Sequence, residues 1–579
     1  MENRENMDSR TEKEQYNEAA EQKSPDAMYH LGLQYERGEG KDQDPAEAVK
    51  WYRKAADLNH AASMKRLGDA CLLGRGIEQD FQAARDWYLK AASLENTEAM
   101  INLGAIYANG YGVKQDYAET IKWYGKAADR KDPLAMKCMG DTYLYGMGVE
   151  QNLQTARDWY LRAAELDNPE AMNDLGIMYA NGEGVKQDYS EALKWFGKAA
   201  EKNNVYALKS MGDAYLYGLG VEQNFLTARD WYLRASEQGN SEAMNNLGLL
   251  YEHGDGVKQD FEEAVKWFRK AAERNNPHAL KSLGDAYLFG RGVEQDFKSA
   301  KDWYVRASEL GNTEAMVNVG SMYANGYGVE QDYAETVKWY KKAADRKDPY
   351  AMECLGDAYL LGYGVDQDYE AARDWFDQAA ELGNTDAMNN LGIMYTEGKG
   401  IEQNYEEAMK WFRKAAEMNN PHAVKNLGDV YLFGRGVAKD SAEAREWYAR
   451  AAELGNTDAM FNLGVMYQQG YGVDQDKAEA VNWFTRAAER NDPSSMKILG
   501  DAYCAGQGVE QNYGAAKDWY EKAARLGNAD AMYNLGVMYD NGDGVDADLQ
   551  QAISWYEKAA SLHNGNAMTR LKQLKQNGS

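Results

Sequence analysis

The side chains in these 579 residues that could do chemistry are six histidines, four cysteines and 92 carboxylates. His30, His60, His253, His278, His422 and His563 form no HxxxH, HExxH or Cys/His cluster, so no metal site is expected. Cys71, Cys138, Cys354 and Cys504 lack any CxxC spacing and read as isolated reduced thiols near the core, which fits a reducing compartment. The stretch GYGVKQD (110–116) resembles a phosphate-cradling loop only in its glycines. It has no GxGxxG and no preceding strand, and it recurs along the chain as a turn. DNGDGVDAD (540–548) is that same turn in register and does not follow the calcium-loop pattern. No Ser/His/Asp or Cys/His set assembles by spacing. The expectation is a protein that is not an enzyme and needs no cofactor.

What positions these side chains is a repeat, and periodicity is the first thing to test. All 15 tryptophans lie on one ladder, Trp51, Trp87, Trp123 and onward in steps of 36 to Trp555. A glycine ladder from Gly32 to Gly536 keeps the same step without insertion or deletion. Each unit is punctuated as two helices. The first starts at an Asn or Asp N-cap such as Asn96, Asp132 or Asn420, often with proline next (Pro133, Pro421), where the missing N–H costs nothing. It carries A-M-x-x-L-G-x-x-Y at helical spacing and ends at GxG, whose first glycine suits a left-handed C′ position. The second helix follows an Asp or Asn, with a capping box in Asp116/Glu119 and Asp260/Glu263. Ala48, Trp51, Tyr52 and Ala55 mark its buried i, i+3, i+4, i+7 face. Glycine inside the first helix costs about 1 kcal/mol relative to alanine. The expected reason is close approach of a bulky neighbour, the Trp or Tyr of a packed helix, and the Trp, Tyr and Met columns are all expected in the core.

The motif L-G-x-x-Y-x-x-G-x-G-V-x-x-D followed by A-x-x-W-Y-x-x-A-A resembles the Sel-one-like repeat (SLR), a relative of the tetratricopeptide repeat. The resemblance covers nearly the whole chain. It implies an all-α, right-handed superhelical solenoid of fifteen 36-residue helix–turn–helix repeats with half-repeat caps. The expected divisions are an N-terminal capping helix in 1–23, repeats in 24–563 (24–59, then every 36 residues to 528–563) and a C-terminal capping helix in 564–579. Residues 9 to 23 keep the second-helix register, and a polar 564–579 closes the far end, so the row is expected to be capped at both ends. The resemblance implies a scaffold for protein complexes or a holder of peptides. Secreted cysteine-rich members staple their repeats with disulfides, and the cysteines for that are not in this sequence.

A second period of 72 overlies the first. In even-numbered units Asp follows LG, and Arg or Lys stands sixteen residues on: Asp69/Arg85, Asp141/Arg157, Asp213/Arg229 and Asp285/Lys301. Odd units have mostly aliphatic residues at both places, as in Ile177/Leu193, so the two charges are expected to touch. If the first helices line a concave face, as in tetratricopeptide arrays, that face carries Lys137, Lys209, Lys281 and Lys425 in even units, with Tyr145, Tyr217, Phe289 and Phe433 at the helix ends. Asn173, Asn245 and Asn389 replace the lysine in odd units. These eleven residues are the candidate partner-binding set, with aromatics anchoring an extended peptide and amides bonding its backbone. The lysines also stand four residues before an Asp, as Lys137 does before Asp141, and can pair with it. A further variable column in the turns holds Tyr111, Met147, Leu219, Tyr327, Tyr363 and Tyr471.

Lys and Arg number 65 against 92 Asp and Glu, a net charge of −27. That repels phosphate backbones and anionic lipid surfaces, so neither nucleic acid nor membrane is an expected partner. The expected partner is a protein or extended peptide, with charge favouring a basic one. The start of the chain is charged and lacks an apolar leader core, so a cytoplasmic monomer is expected. The alternative is an enzyme, or a module for cell-wall fragments, with its site built across neighbouring repeats.

Overall fold

The structure, a computed structural model, describes Tyr16, residues 18–38 and residues 42–577. Most of the proposed N-terminal cap, including all of 1–15, lies outside the described residues. Among the described residues every regular element is a helix, and helix pairs recur at 36 residues as a solenoid. The chain divides into two compact units, Met1–Gln295 and Asp296–Ser579. Numbering repeats from residue 24, repeats 1 to 7 and the first helix of repeat 8 lie in the first unit, and the remainder in the second.

Repeat 3 shows how local chemistry draws each pair. Its first helix, Thr97–Asn109, starts where the Asn96 side chain accepts from the Ala99 N–H at 2.8 Å, and it stops at Gly110 in the left-handed region, φ 70°. Its second helix, Tyr117–Ala128, is capped by Asp116 Oδ1, which accepts from the N–H groups of Ala118 and Glu119. Gln115 Nε2 donates back to the carbonyl of Ala108 at 2.6 Å, satisfying an orphan acceptor of the first helix. The equivalent glutamines do the same from Gln79 to Gln511.

The mid-helix glycines are explained by a ring. A Cβ on Gly212 would lie 2.4 Å from Cε1 of Tyr232, and within each unit the glycines of the ladder from Gly32 to Gly536 meet the Tyr or Phe twenty residues on in the same way. That aromatic, one residue after the tryptophan, is the side chain that fills the notch. The indoles themselves are only half-buried, against the expectation that they sit in the core. Except at Trp375, where Gln378 takes the place, the cation three residues on lies over the ring: Lys54 lies 3.8 Å from the Trp51 ring centre, Lys270 3.7 Å from Trp267 and Arg306 4.6 Å from Trp303. Trp339 lines one cleft with Val305 and Ser308 of the preceding repeat and Met316 of its own. The tryptophan thus stands beside the second helix of the preceding repeat, and a cation–π contact with an exposed lysine contributes about 0.5–1 kcal/mol.

Among the described residues the expected pairs Asp69/Arg85, Asp141/Arg157 and Asp213/Arg229 do not form. Arg85, Arg157 and Arg229 each reach sideways to the next residue, Asp86, Asp158 and Asp230, at 2.8–3.0 Å. The reason is that the first-helix aspartate is already saturated. Asp213 Oδ1 accepts from the Tyr232 hydroxyl at 2.7 Å, and Oδ2 faces Lys209 Nζ at 2.8 Å. A double-mutant cycle should accordingly give coupling of about 1–2 kcal/mol for Asp213 with Tyr232. Asp213 with Arg229 should give none, and the reverse pattern would refute this assignment.

Within each unit, first helices of successive repeats touch one another, as do those of repeats 3 and 4, 6 and 7, and 11 and 12. In each unit their exposed edges lie side by side. The turn aromatics belong elsewhere: Tyr111, Tyr327 and Tyr363 stack on Phe81, Phe297 and Tyr333 of the preceding repeat at 5.3–5.5 Å.

Candidate functional site

The first-helix face is organised around the aspartate that follows the glycine in even repeats. Because Lys and Asp are four apart, both project to the same side of the helix. Lys65 Nζ sits 3.0 Å from Asp69 and 2.9 Å from Glu98 on the next first helix. Lys209 likewise bridges Asp213 and Glu242, at 2.8 and 3.1 Å. Lys137, Lys281, Lys425 and Lys497 hold Asp141, Asp285, Asp429 and Asp501 at 2.6–2.9 Å. A phenol completes each described cluster within a unit: the hydroxyls of Tyr88, Tyr160, Tyr232, Tyr448 and Tyr520 donate to the aspartate at 2.6–2.8 Å. Burial, then the facing aspartate, pushes these tyrosines far above the usual phenol range, so they stay protonated donors. The next repeat adds an amide, with Asn102, Asn246 and Asn534 donating to Asp69, Asp213 and Asp501 at 3.0–3.4 Å.

Two repeats depart from this plan. After repeat 4 the amide is replaced by Asp174, whose Oδ2 is buried without a hydrogen bond and has Lys137 Nζ 3.5 Å away. Burial raises its carboxyl to about 6, with Lys137 pulling it down and Asp141 pushing it up. In repeat 10 the lysine is replaced by Glu353 and the phenol by Phe376, leaving Asp357 with an amide donor, Asn390 Nδ2, at 3.3 Å.

The candidate residues separate into three groups. Lys137, Lys209, Lys281 and Lys425 lie on the face, but their ammonium groups are committed to the aspartates four residues on. Asn173, Asn245 and Asn389 are 6–7% exposed and turn into the seam between first helices, so they present no amide to a partner. Asn389 Oδ1 accepts from Asn426 Nδ2 at 2.8 Å, whereas Ser210 and Ser282 stand at the equivalents of Asn426, and the buried oxygens of Asn173 and Asn245 have no partner. Tyr145, Tyr217, Phe289 and Phe433 are 57–70% exposed at the helix ends. Leu361, at the same place in repeat 10, is exposed with them.

Between these helix ends the face is grooved. One groove of about 540 Å³ is lined by Lys137, Asp141, Tyr145, Tyr160, Asp174 and Ile177. Another, of about 440 Å³, runs between repeats 11 and 12 and is lined by Ile393, Tyr405, Phe412, Asn426, Asp429 and Arg435. The first groove is mainly apolar and the second mixes apolar and polar walls, each with a few fixed charges, which suits side-chain recognition. The lysine–aspartate pair is legible in the sequence, whereas the tyrosine and asparagine that complete the cluster are not singled out there, although they recur 19 and 33 residues after the aspartate. No described helix is long and apolar enough to cross a membrane.

A family model described as Sel1 repeat matches fifteen consecutive segments, beginning at 25–60 and ending at 529–564. The chain is similar to a protective antigen of uropathogenic Escherichia coli displaying an SLR fold, at 36% identity over 73% of this chain and 91% of that one, TM-score 0.44. It is also similar to a Sel1 repeat protein from Oxalobacter formigenes, at 31% identity over 52% of this chain and 87% of that one, TM-score 0.40. Comparison with curated proteins gives no match. Repeats of this type generally bind proteins and are generally non-catalytic. With fifteen matched repeats in unbroken register, this chain belongs to the Sel1 repeat family.

Proposed function

We propose that the protein is a binding scaffold that takes an extended segment of a partner protein along the first-helix face. The observation that carries this reading is the row of exposed large apolar side chains, Tyr145, Tyr217 and Phe289 in one unit and Leu361 and Phe433 in the other, at one position of successive even repeats. Water-exposed aromatics at a fixed structural address, flanked by grooves, are what anchors for a partner require. The fixed carboxylates and the net charge of −27 favour a partner rich in lysine or arginine.

The test is affinity capture from the cells of origin with the wild-type chain and with the Tyr217→Ala/Phe289→Ala variant. Both substitutions remove exposed rings, so the melting profile should be unchanged. Proteins retained stoichiometrically by the wild type should be lost at least tenfold by the variant. Equal capture by both would refute the assignment of this face.

A further inference from the structure

Two adjacent side chains on the first helix of repeat 5, Pro169–Asn181, are buried without the partners their equivalents have. Asn173 is 6% exposed, and its oxygen takes no hydrogen bond within the chain. Its equivalent Asn389 accepts from Asn426 at 2.8 Å, but the shorter Ser210 stands at the place of Asn426. Asp174 stands where repeats 3 and 7 present Asn102 and Asn246 as donors to the preceding aspartate, and its buried Oδ2 also lacks a hydrogen bond. Lys137 is held by Asp141 at 2.9 Å and lies 3.5 Å from Asp174, longer than a charge-assisted hydrogen bond. Repeat 3 shows the satisfied arrangement in the same unit. There Ile101 takes the place of Asn173, and Asn102 donates to Asp69 at 3.2 Å.

The same helix has room on both sides. The groove of about 540 Å³ toward repeat 4 and a cleft of about 180 Å³ toward repeat 6 both reach Ile177, one turn on from Asn173, and Ser210 lines the second. Within repeat 5 the packing is tight, since a Cβ on Gly176 would lie 2.5 Å from Cδ1 of Phe196. Its two helices therefore hold together, and the weak surfaces are those toward repeats 4 and 6. A buried acceptor without a donor carries its full desolvation penalty in the closed seam and is relieved when water reaches it, so opening costs less here than in repeat 3.

We propose that repeat 5 is a hinge within the first unit, its first helix parting from those of repeats 4 and 6 so that water reaches Asn173 and Asp174. Tyr145 and Tyr217 end the first helices of repeats 4 and 6, one on each side of the hinge, so opening changes the distance between them. The hinge stands on the contacts of repeat 5 and does not depend on the binding reading. Taken with that reading, it gives the face an adjustable spacing between two of its anchors.

The experiment is hydrogen exchange read by mass spectrometry on the full chain at pH 7.5, above the value of about 6 at which Asp174 titrates. Protection of Pro169–Asn181 is compared with that of the same helix in repeat 3, Thr97–Asn109, and in repeat 7, Ser241–His253. The repeat 5 helix should be at least roughly tenfold less protected than the repeat 3 helix. Repeat 7 should fall between, because Asn245 is orphaned there but Asn246 has its aspartate. The variant Asn173→Ile/Asp174→Asn copies repeat 3 and should bring Pro169–Asn181 to within about threefold of Thr97–Asn109, whose own protection stays unchanged. Ser210→Asn, which restores the missing donor from the neighbouring helix, should recover part of that gain. Both variants are expected to add protection, so misfolding cannot mimic the result. Equal protection of the repeat 3 and repeat 5 helices in the wild type would overturn the hinge. So would a variant that slows exchange in every repeat alike, or no gain in Pro169–Asn181 from either variant.

Discussion

Gly212→Ala is expected to destabilise repeats 5 to 7 by about 3 kcal/mol, well beyond an ordinary helix-surface substitution. By helix propensity alone the change would be favourable by about 1 kcal/mol. The sign reverses because the added methyl would stand 2.4 Å from Cε1, 2.5 Å from Cδ1 and 3.0 Å from Cζ of Tyr232. That ring cannot swing away. It is fully buried, and its hydroxyl is tied to Asp213 at 2.7 Å. The two helices of repeat 6 must separate instead, which also loosens their packing on repeats 5 and 7. Because repeats couple mainly to their neighbours, the loss should appear as faster hydrogen exchange centred on repeat 6 rather than uniformly along the chain. Adding Tyr232→Leu to Gly212→Ala should recover part of the stability despite deleting a buried ring. A variant that melts like the wild type would refute ring-to-glycine packing as the reason for the glycine ladder.

Asp174→Asn is expected to stabilise the fold at neutral pH, by about 2 kcal/mol, and to leave it unchanged near pH 4. Asp174 titrates at about 6 in the folded chain because it is buried, against an ordinary value of 3.8. Between those two values the folded state holds a proton that the unfolded state has released. Stability associated with this group is therefore present at low pH and is lost as pH rises through about 6. Above that, a buried carboxylate faces Asp141 with one lysine, Lys137, shared between them. Asparagine removes the charge and supplies an Nδ2 donor to Asp141, as Asn102 and Asn534 do for Asp69 and Asp501 at 3.2 and 3.0 Å. Urea melts at pH 4.5, 6 and 7.5 would show the gap between variant and wild type opening with pH. A constant gap would mean that Asp174 does not titrate in this window.

Much of the architecture was legible because it repeats. The caps Asn96 and Asp116, the stop at Gly110 and the register of Gly32 to Gly536 are local signals, and fifteen copies remove the ambiguity any one would carry. The candidate face was legible in part. The exposed ends Tyr145, Tyr217, Phe289 and Phe433 are where helix geometry puts them, but Asn173, Asn245 and Asn389 turn into the seam. Their direction depends on how closely two first helices approach, and that distance is not a property of either helix. The same limit explains the aspartate. Covariation with an arginine sixteen residues on pointed to a contact, but Asp213 chose the phenol nineteen residues on and the lysine on its own helix.

Helix type and capping follow from the sequence by itself, because each is set by residues within about four positions of one another, and the period follows because every unit repeats those signals in step. Which ring fills the glycine notch, that Asp213 takes the Tyr232 hydroxyl, and that Asn173, Asn245 and Asn389 are buried were decided by tertiary packing. Those outcomes turn on distances between helices twenty or more residues apart in the chain, where a side chain's partner is selected by competition among all donors and apolar surfaces within reach.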